Sequence, residues 1–269
     1  MRVKLLSVLS LTLMVFYLVS CEKDKEKLLE SSPPSPIYLG GSPQASGMDL
    51  SFDVVIQRRT TFQNGLTQVS RAWKKLQAVP QTESYSLNVT VNDGNFYMLK
   101  DNIVVQSEIR DRTPAEERIA KIEISGGIST AYNANNSILN SQPVGNLSQG
   151  FLDGVYRQYN NGPIDTASLD AGGIRYVVNG NHITIVSSIA NGDEGNHVST
   201  FNLSTGQPAL IMSYDDNDPV KLTWMASHQY GIDGKPLNSV YTYYDYLADG
   251  DVRIKVEQWS YSNFTLNIY

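Results

Sequence analysis

The sequence predicts a mainly β protein: an antiparallel meander of strands with one amphipathic helix packed on it. Three observations predict this class. Apolar and polar residues alternate with a period of two from Leu50 onward, which is typical of half-buried strands. Turn dipeptides such as Asp93-Gly94 and Asn179-Gly180 separate the alternating runs, as they do in β-hairpins. One segment, residues 66–78, instead places its apolar residues at helical spacing.

The chain begins with a segment that has the features of an export signal. Arg2 and Lys4 precede an apolar run over residues 5–19, which is the charged and hydrophobic order of a secretory signal. The run closes on Leu-Val-Ser-Cys and resembles the lipobox of bacterial lipoproteins, in which the cysteine is diacylated and becomes the new N-terminus. We therefore expect residues 1–20 to be removed and Cys21 to carry the lipid. An uncleaved anchor is the alternative, but the apolar run is shorter than the ~20 residues of a membrane span.

The residues after Cys21 predict a flexible tether over 21–47. Charges alternate over residues 22–27, and residues 31–36 are rich in serine and proline. Such a composition buries too little apolar surface to offset the entropy of ordering. The charged stretch also resembles the acidic export signals of some Gram-negative lipoproteins, and a solvated linker is the alternative. The remaining residues, 48–269, are predicted to form a single β-rich domain.

Charge and cysteine content exclude several classes of protein. The whole chain has a net charge of −6, and removing Arg2 and Lys4 with the signal makes it −8. This acidic balance argues against nucleic-acid binding, which requires basic residues that neutralise phosphates. Because Cys21 is the single cysteine, we expect no disulfide, no thiol catalysis and no cysteine-ligated metal.

The helix and the first strands follow the tether. The helix spans residues 66–78 and carries Trp73 in the middle of its apolar stripe, which should pack on a sheet. Strands are predicted at residues 84–91, 96–99, 103–105, 121–125 and 128–132, with turns at Asp93-Gly94, Asp101-Asn102 and Gly126-Gly127 between them. A short helix is predicted over residues 111–118.

Residues 133–173 have the least regular pattern. Asparagine, glycine and serine dominate there, although Leu147, Phe151, Leu152, Val155 and Tyr159 could form one short helix. A long irregular insert is often functional, and a linker between two halves of the sheet is the alternative that we favour. Within it, Asp165-Thr166-Ala167 resembles a periplasmic O-glycosylation acceptor.

The second half repeats the strand pattern. Strands are predicted at residues 174–178, 183–185, 201–203, 210–214, 222–226, 241–246, 252–256 and 264–268. The piece over residues 201–208, ending in Thr205-Gly206-Gln207-Pro208 and followed by residues 209–212, is similar to a hairpin common in the LolA/LolB-like proteins of the lipoprotein carrier superfamily. Residues 253–267 could be the closing strands. This resemblance implies a strongly curved sheet, a half-open barrel plugged by helices, that holds acyl chains. The chain departs from the superfamily in offering only one clear helix.

Aromatic residues supply the candidate ligand-binding site. Alternation places Tyr244 and Tyr246 on one face of a strand, with Tyr241 and Tyr243 on the other. Amphipathic rings suit either sugar stacking or a lipid-lined opening, whereas strand propensity alone is the plainer explanation. The candidate ligand-binding residues are Trp73, Tyr241, Tyr243, Tyr244, Tyr246 and Trp259.

Motifs for catalysis and for metal or cofactor binding are weak. His182, His197 and His228 lack a partner at ligand spacing, and His228 continues the inward face of its strand, as a core histidine would. The acidic run at residues 215–218 lacks the spaced ligands of an EF-hand and is expected to be a solvated turn. We expect no catalytic residue, metal or cofactor.

The sequence thus predicts a non-enzymatic lipoprotein of the Gram-negative outer membrane, held by its N-terminal lipid. Its partner would be a hydrophobic small molecule, an acyl chain or a lipoprotein segment, bound between sheet and helix. A cell-surface module that binds glycan through residues 241–246 is the alternative, and an enzyme is the third choice.

Overall fold

The structure, a computed structural model, describes residues 46–65, 72–107, 118–144, 152, 155, 162–187, 197–215, 218 and 220–269. The signal segment, Cys21, the tether up to residue 45 and most of the helix predicted at 111–118 lie outside the described residues. The strands are β1 (Gly47–Phe62), β2 (Gln81–Asn92), β3 (Asn95–Ser107), β4 (Lys121–Ser125), β5 (Ile128–Tyr132), β6 (Ile138–Pro143), β7 (Tyr176–Asn179), β8 (His182–Ser187), β9 (His197–Asn202), β10 (Pro208–Tyr214), β11 (Leu222–Tyr230), β12 (Pro236–Tyr246) and β13 (Val252–Ile268). Helix α1 is Ala72–Gln77 and helix α2 is Thr166–Ala171, and Leu152 and Val155 are also helical.

All the described strands belong to one antiparallel sheet in the order β6-β5-β4-β3-β2-β1-β13-β12-β11-β10-β9-β8-β7. The chain meanders outward from β1 to β6, crosses to the opposite edge at β7, and meanders back to β13. In the part of the chain that the structure describes, the edge strands β6 and β7 do not pair with each other, so the sheet is open. The predicted mainly β, antiparallel class is confirmed.

The first and last strands form the centre of the sheet. β1 pairs with β13 from Met48 opposite Ile268 to Phe62 opposite Arg253. The backbone amides of Ser46 and Gly47 both donate to the carbonyl of Tyr269, at 2.8 and 3.0 Å. Among the described strands, this central pair is where the backbone ladder joins the two halves of the sheet.

The predicted hairpin turns match the structure where dipeptides with positive φ occur. Asp93 and Gly94 have φ values of 48° and 75° and join β2 to β3, as a type I′ turn requires. Gly126 and Gly127, with φ values of 57° and 75°, join β4 to β5. The turn dipeptides therefore predicted these two hairpins correctly.

Two predicted breaks are bulges inside long strands. Asn102 has a φ of 55°, yet β3 continues through it from Asn95 to Ser107, so the predicted turn at Asp101-Asn102 is wrong. Asn263 has a φ of 53° inside the seventeen-residue β13, which the sequence divided into two strands. An asparagine with positive φ can end a strand or insert one residue into it, and the neighbouring strand decides which occurs.

The segment predicted as irregular contains regular elements. β6 was not predicted, because its residues, Ile138–Pro143, are exposed throughout and show no alternation. Leu152 and Val155 are helical and buried, as the predicted short helix requires. Asp165 is the N-cap of α2, and its carboxylate accepts from the amide of Ala167. The segment lies in the chain between the two halves of the sheet, as a linker would.

The helix predicted at residues 66–78 is confirmed only for α1, because residues 66–71 lie outside the described part of the chain. A single amphipathic helix is therefore not established, and α2 is a second helix. No described helix is long and apolar enough to cross a membrane.

Candidate functional site

One face of the sheet, called the inner face here, carries the buried side chains. Cross-strand partners point to the same side of a sheet. Ile56 lies opposite Trp259, Trp259 lies opposite Ser239, and Ser239 lies opposite His228. The inner face therefore continues from β1 across β13 and β12 to β11.

The apolar end of the inner face is built at the start of β1. Phe52 packs on Phe264, with ring centroids 5.9 Å apart, and meets Tyr261 edge-on at 5.3 Å. The residues of this end are Met48, Leu50, Phe52, Val54, Leu87, Val89, Val91, Phe96, Met98, Ile122, Ile124 and Phe264, all buried. Removing this much apolar surface from water is the main stabilising contribution of the fold.

The ionic end of the inner face is built at the end of β1. Arg58 Nη1 donates to Glu83 Oε2 at 2.6 Å, and Arg58 Nε donates to Glu257 Oε1 at 3.0 Å. Trp259 Nε1 donates to the second oxygen of Glu257, at 3.2 Å. The side chains of Arg58, Glu83 and Glu257 are only 16, 13 and 12% exposed. Burial alone would lower the pKa of the Arg58 guanidinium, but the Glu257 and Glu83 carboxylates raise it above its usual value.

A second cation, Lys100, lies at the border between the two ends. It is 5% exposed, and its Nζ stands 4.4 Å from the centroid of the Tyr85 ring. Burial lowers the pKa of the Lys100 ammonium, whereas the nearby carboxylates of Glu83 and Glu257 oppose that change. Burial also raises the pKa of the Tyr85 phenol well above its usual value.

His228 is a buried histidine of the inner face, as its position in the strand predicted. Its Nδ1 lies 2.9 Å from Ser239 Oγ, and its ring meets Tyr241 edge-on at 5.8 Å. Its Nε2 is buried and has no hydrogen-bond partner among the described residues. Burial lowers the pKa of His228 to about 4, so the ring is neutral at pH 7.

The structure separates the candidate ligand-binding residues. Trp259 and Tyr241 are buried, with ring centroids 5.6 Å apart, and Tyr243 packs half-buried against the same core. Tyr244 and Tyr246 alternate onto the opposite face, and Tyr246 is 45% exposed. The predicted alternation is correct, but the six residues do not form one site.

Trp73 lies at the end of the inner face, where α1 docks. Its ring meets Phe62 edge-on at 5.8 Å. The next residue, Lys74, donates from Nζ to Asp251 Oδ2 at 2.8 Å and lies 3.1 Å from Asp249 Oδ2. The hydrogen bond with Asp251 raises the pKa of the Lys74 ammonium. Because Asp251 also accepts from the amides of Asn64 and Val252, one carboxylate joins α1 to β1 and β13.

A half-buried apolar surface separates two cores on the inner face. The larger core covers β1 to β5 and β11 to β13. The smaller one is Ile164, Leu169, Ile183 and Ile185, where α2 packs on β8. Between them, Ile211, Trp224 and Tyr243 lie on the inner face of β10, β11 and β12 and are half-buried. We call these three residues the inter-core surface.

Sequence reasoning missed the ionic residues and most of the inter-core surface. The sequence feature that could have identified the ionic residues is a charged residue at an inward-facing position of an alternating strand. Arg58 follows Ile56 by two residues, Lys100 follows Met98 by two, and Glu257 precedes Trp259 by two. Each position was visible by itself, but their meeting depends on the register of four strands.

Other parts of the described structure offer less chemistry. The described residues contain no group of three or more His, Cys, Asp or Glu that could hold a metal ion. In the acidic run, Asp218 accepts from the amide of Val220 and pairs with Lys221 Nζ at 3.3 Å, as in a turn. A shallow pocket of about 270 Å³ lies at the β2–β3 and β4–β5 turns, lined by Thr90, Asn92, Asn95, Phe96, Tyr97, Glu123, Ile124 and Ser125.

Comparisons with known proteins give structural neighbours but no family match. No model of a known protein family matches the chain, and no curated protein matches it. A LolA superfamily protein from Nitrosomonas europaea is 15% identical over 81% of this chain and 86% of that chain, with a TM-score of 0.36. An outer membrane lipoprotein-sorting protein domain from Vibrio parahaemolyticus is 11% identical over 84% of this chain and 87% of that chain, with a TM-score of 0.38.

Proposed function

We propose that this chain is a non-enzymatic, lipid-anchored protein of the Gram-negative outer membrane that binds a hydrophobic ligand, an acyl chain or a lipoprotein segment, over the inner face. The inter-core surface is the observation that carries this proposal. The side chains of this surface lie on the same sheet face as the two buried cores, yet the side chains themselves are only half-buried. A ligand on this surface would remove their remaining apolar area from water.

Two further features support a ligand between sheet and helix. The positive-φ bulges at Asn102 and Asn263 add local twist and bend to their strands, which favours a strongly curved sheet around an interior space. Helix α1 is joined to the end of the inner face through Lys74 and Asp251, where it could cover part of a bound chain. The anchor rests on the lipobox: Cys21→Ser should abolish metabolic labelling of the protein with a fatty acid.

Ligand binding can be tested with adjacent residues that point to opposite faces. The mature chain, residues 21–269 carrying Cys21→Ser, is titrated with a neutral naphthylamine fluorophore and then with alcohols of increasing chain length. We expect saturable binding that tightens with each added methylene, which contributes up to about 0.8 kcal/mol. Ile211→Asp should abolish it, whereas Met212→Asp on the other face of β10 should preserve it.

Two results would contradict the proposal. One is that the chain with Ile211 and Met212 unchanged shows no saturable binding of the fluorophore. The other is that Ile211→Asp and Met212→Asp reduce the affinity for the fluorophore equally. Glycan binding is the alternative function, favoured by the exposed ring of Tyr246 on the opposite face. It would appear as retention on a polysaccharide gel that Tyr244→Ala with Tyr246→Ala removes, without binding of the fluorophore.

A further inference from the structure

We propose that Lys100 forms the head-group site of the hydrophobic ligand, which is therefore an amphiphile with an anionic head. This inference rests on the proposed function, since the site would lie on the same inner face.

The carboxylates near Lys100 are already engaged by Arg58. Glu83 binds Arg58 Nη1 and Glu257 binds Arg58 Nε, and Glu257 also accepts from Trp259. In the described part of the chain, Lys100 Nζ has no ion pair, and its side chain contacts the Tyr85 ring face. The charges of these two cations and two carboxylates balance in number, but the contacts among the described residues give Lys100 no ion pair.

A buried ammonium without a counter-ion is costly, because it loses hydration and regains little in return. The ring face of Tyr85 provides part of the compensation, as a cation–π contact does. Arg58 adds a second open donor: its Nη2 is buried and has no hydrogen-bond partner among the described residues. An oxyanion at Lys100 would supply the missing partner, and a carboxylate or a phosphate monoester has the required chemistry.

An aromatic band leads from Lys100 toward the inter-core surface. It begins at Tyr85 on β2 and continues through Tyr261 and Trp259 on β13, whose ring centroids are 6.2 Å apart. Tyr241 on β12 extends it, 5.6 Å from Trp259. Four strand steps separate β3 from β12, about 19 Å at the usual strand spacing. Tyr85, Trp259 and Tyr241 are themselves buried, so the tail would insert between this band and the side chains that cover it. An extended long acyl chain has a length comparable to about 19 Å, so a head at Lys100 would allow the tail to reach the inter-core surface.

Lys121 provides an internal comparison. Its Nζ stands 4.1 Å from the centroid of the Tyr132 ring, so it makes the same kind of aromatic contact as Lys100. Unlike Lys100, it has a carboxylate partner, Glu123, at 3.2 Å. Lys121 also lies on the opposite face of the sheet, since it pairs with Leu99 whereas Lys100 pairs with Leu87. Lys121→Met is therefore a control that removes a lysine–aromatic contact away from the inner face.

The test compares ligands that differ only in their heads. Hexadecanoate, hexadecyl phosphate and hexadecanol each displace the naphthylamine fluorophore from the mature chain carrying Cys21→Ser. We expect at least one of the two anions to bind about tenfold more tightly than the alcohol, a difference of about 1.4 kcal/mol. Lys100→Met should lower the affinity for that anion to the affinity for hexadecanol, whereas Lys121→Met should keep the preference. Should Lys100→Met not fold, Lys100→Gln is examined in the same way.

Each outcome decides between the two proposals. Equal affinity for anions and alcohol, or a preference that persists without Lys100, would overturn the head-group site and leave the hydrophobic ligand standing. Failure of all three compounds to displace the fluorophore, or failure of the fluorophore to bind, would overturn the proposed function itself. Displacement by inorganic phosphate or acetate alone would show a site for free anions and contradict the amphiphile.

Discussion

The apolar end and the ionic end of the inner face lie on the same long strand, β1, and differ in what their burial achieves. At the apolar end, Phe52 and Val54 are packed among side chains that all gain from leaving water. At the ionic end, Arg58, Glu83 and Glu257 lose hydration that their mutual attraction offsets only in part. Burial of a charged cluster is therefore weak evidence for a stabilising role, and it directs attention to binding.

The largest expected effects come from removing one residue at each end. Leu87→Ala should cost about 2–5 kcal/mol of unfolding free energy, because Leu87 is fully buried and leaves a cavity. Arg58→Met should cost about 3–5 kcal/mol, because it leaves the Glu83 and Glu257 carboxylates buried without their cation. Denaturant unfolding of both variants measures these losses.

Replacing the ionic group together with Lys100 tests whether these charges stabilise the fold. Arg58→Met combined with Glu83→Leu, Glu257→Met and Lys100→Met should recover the stability lost by Arg58→Met alone, since none of these four buried charges then remains. If the quadruple variant were less stable than the single one, the ionic end would be a stabilising element and the contrast between the two ends would be wrong.

The next effect concerns pH and His228. Its pKa is about 4 in the folded protein and about 6.5 in an unfolded chain. The unfolded state therefore binds the proton first as pH falls, and this group's contribution to stability, about 3 kcal/mol, is lost between pH 6.5 and pH 4. His228→Gln should remove that part of the acid sensitivity, measured as the difference in unfolding free energy between pH 7 and pH 4. His182→Gln, at an exposed position, is the control and should retain it.

The smallest effect tests how tightly the apolar end is packed. A Cβ on Gly47 would lie 2.5 Å from the carbonyl oxygen of Val91 and 2.7 Å from the Tyr269 ring. The ring can move but the β2 backbone cannot move freely, so Gly47→Ala should cost about 1–3 kcal/mol. Gly162→Ala, which meets nothing within 4 Å, should be close to neutral. A neutral Gly47→Ala would show that the β1–β2 pair has room at this end.

The fold class and most of the local turns could be predicted from the sequence, because both depend on interactions between near neighbours. Alternation assigned Tyr241 and Tyr243 to one face and Tyr246 to the other, since the side-chain period of a strand is two whatever its partners. The dipeptide at Asp93-Gly94 was sufficient for a hairpin, because its backbone adopts positive φ at little cost.

Which strands are neighbours and which charges meet depends on the tertiary structure. Asn102 and Asn263 are bulges rather than turns because the adjacent strands continue past them. Arg58 and Glu257 are 199 residues apart in the chain, and they meet only because β1 pairs with β13 in one register. Cross-strand contacts depend on that register rather than on any local pattern. For this reason the tyrosines of residues 241–246 could be identified from the sequence, whereas the burial of Lys100 against the Tyr85 ring could not.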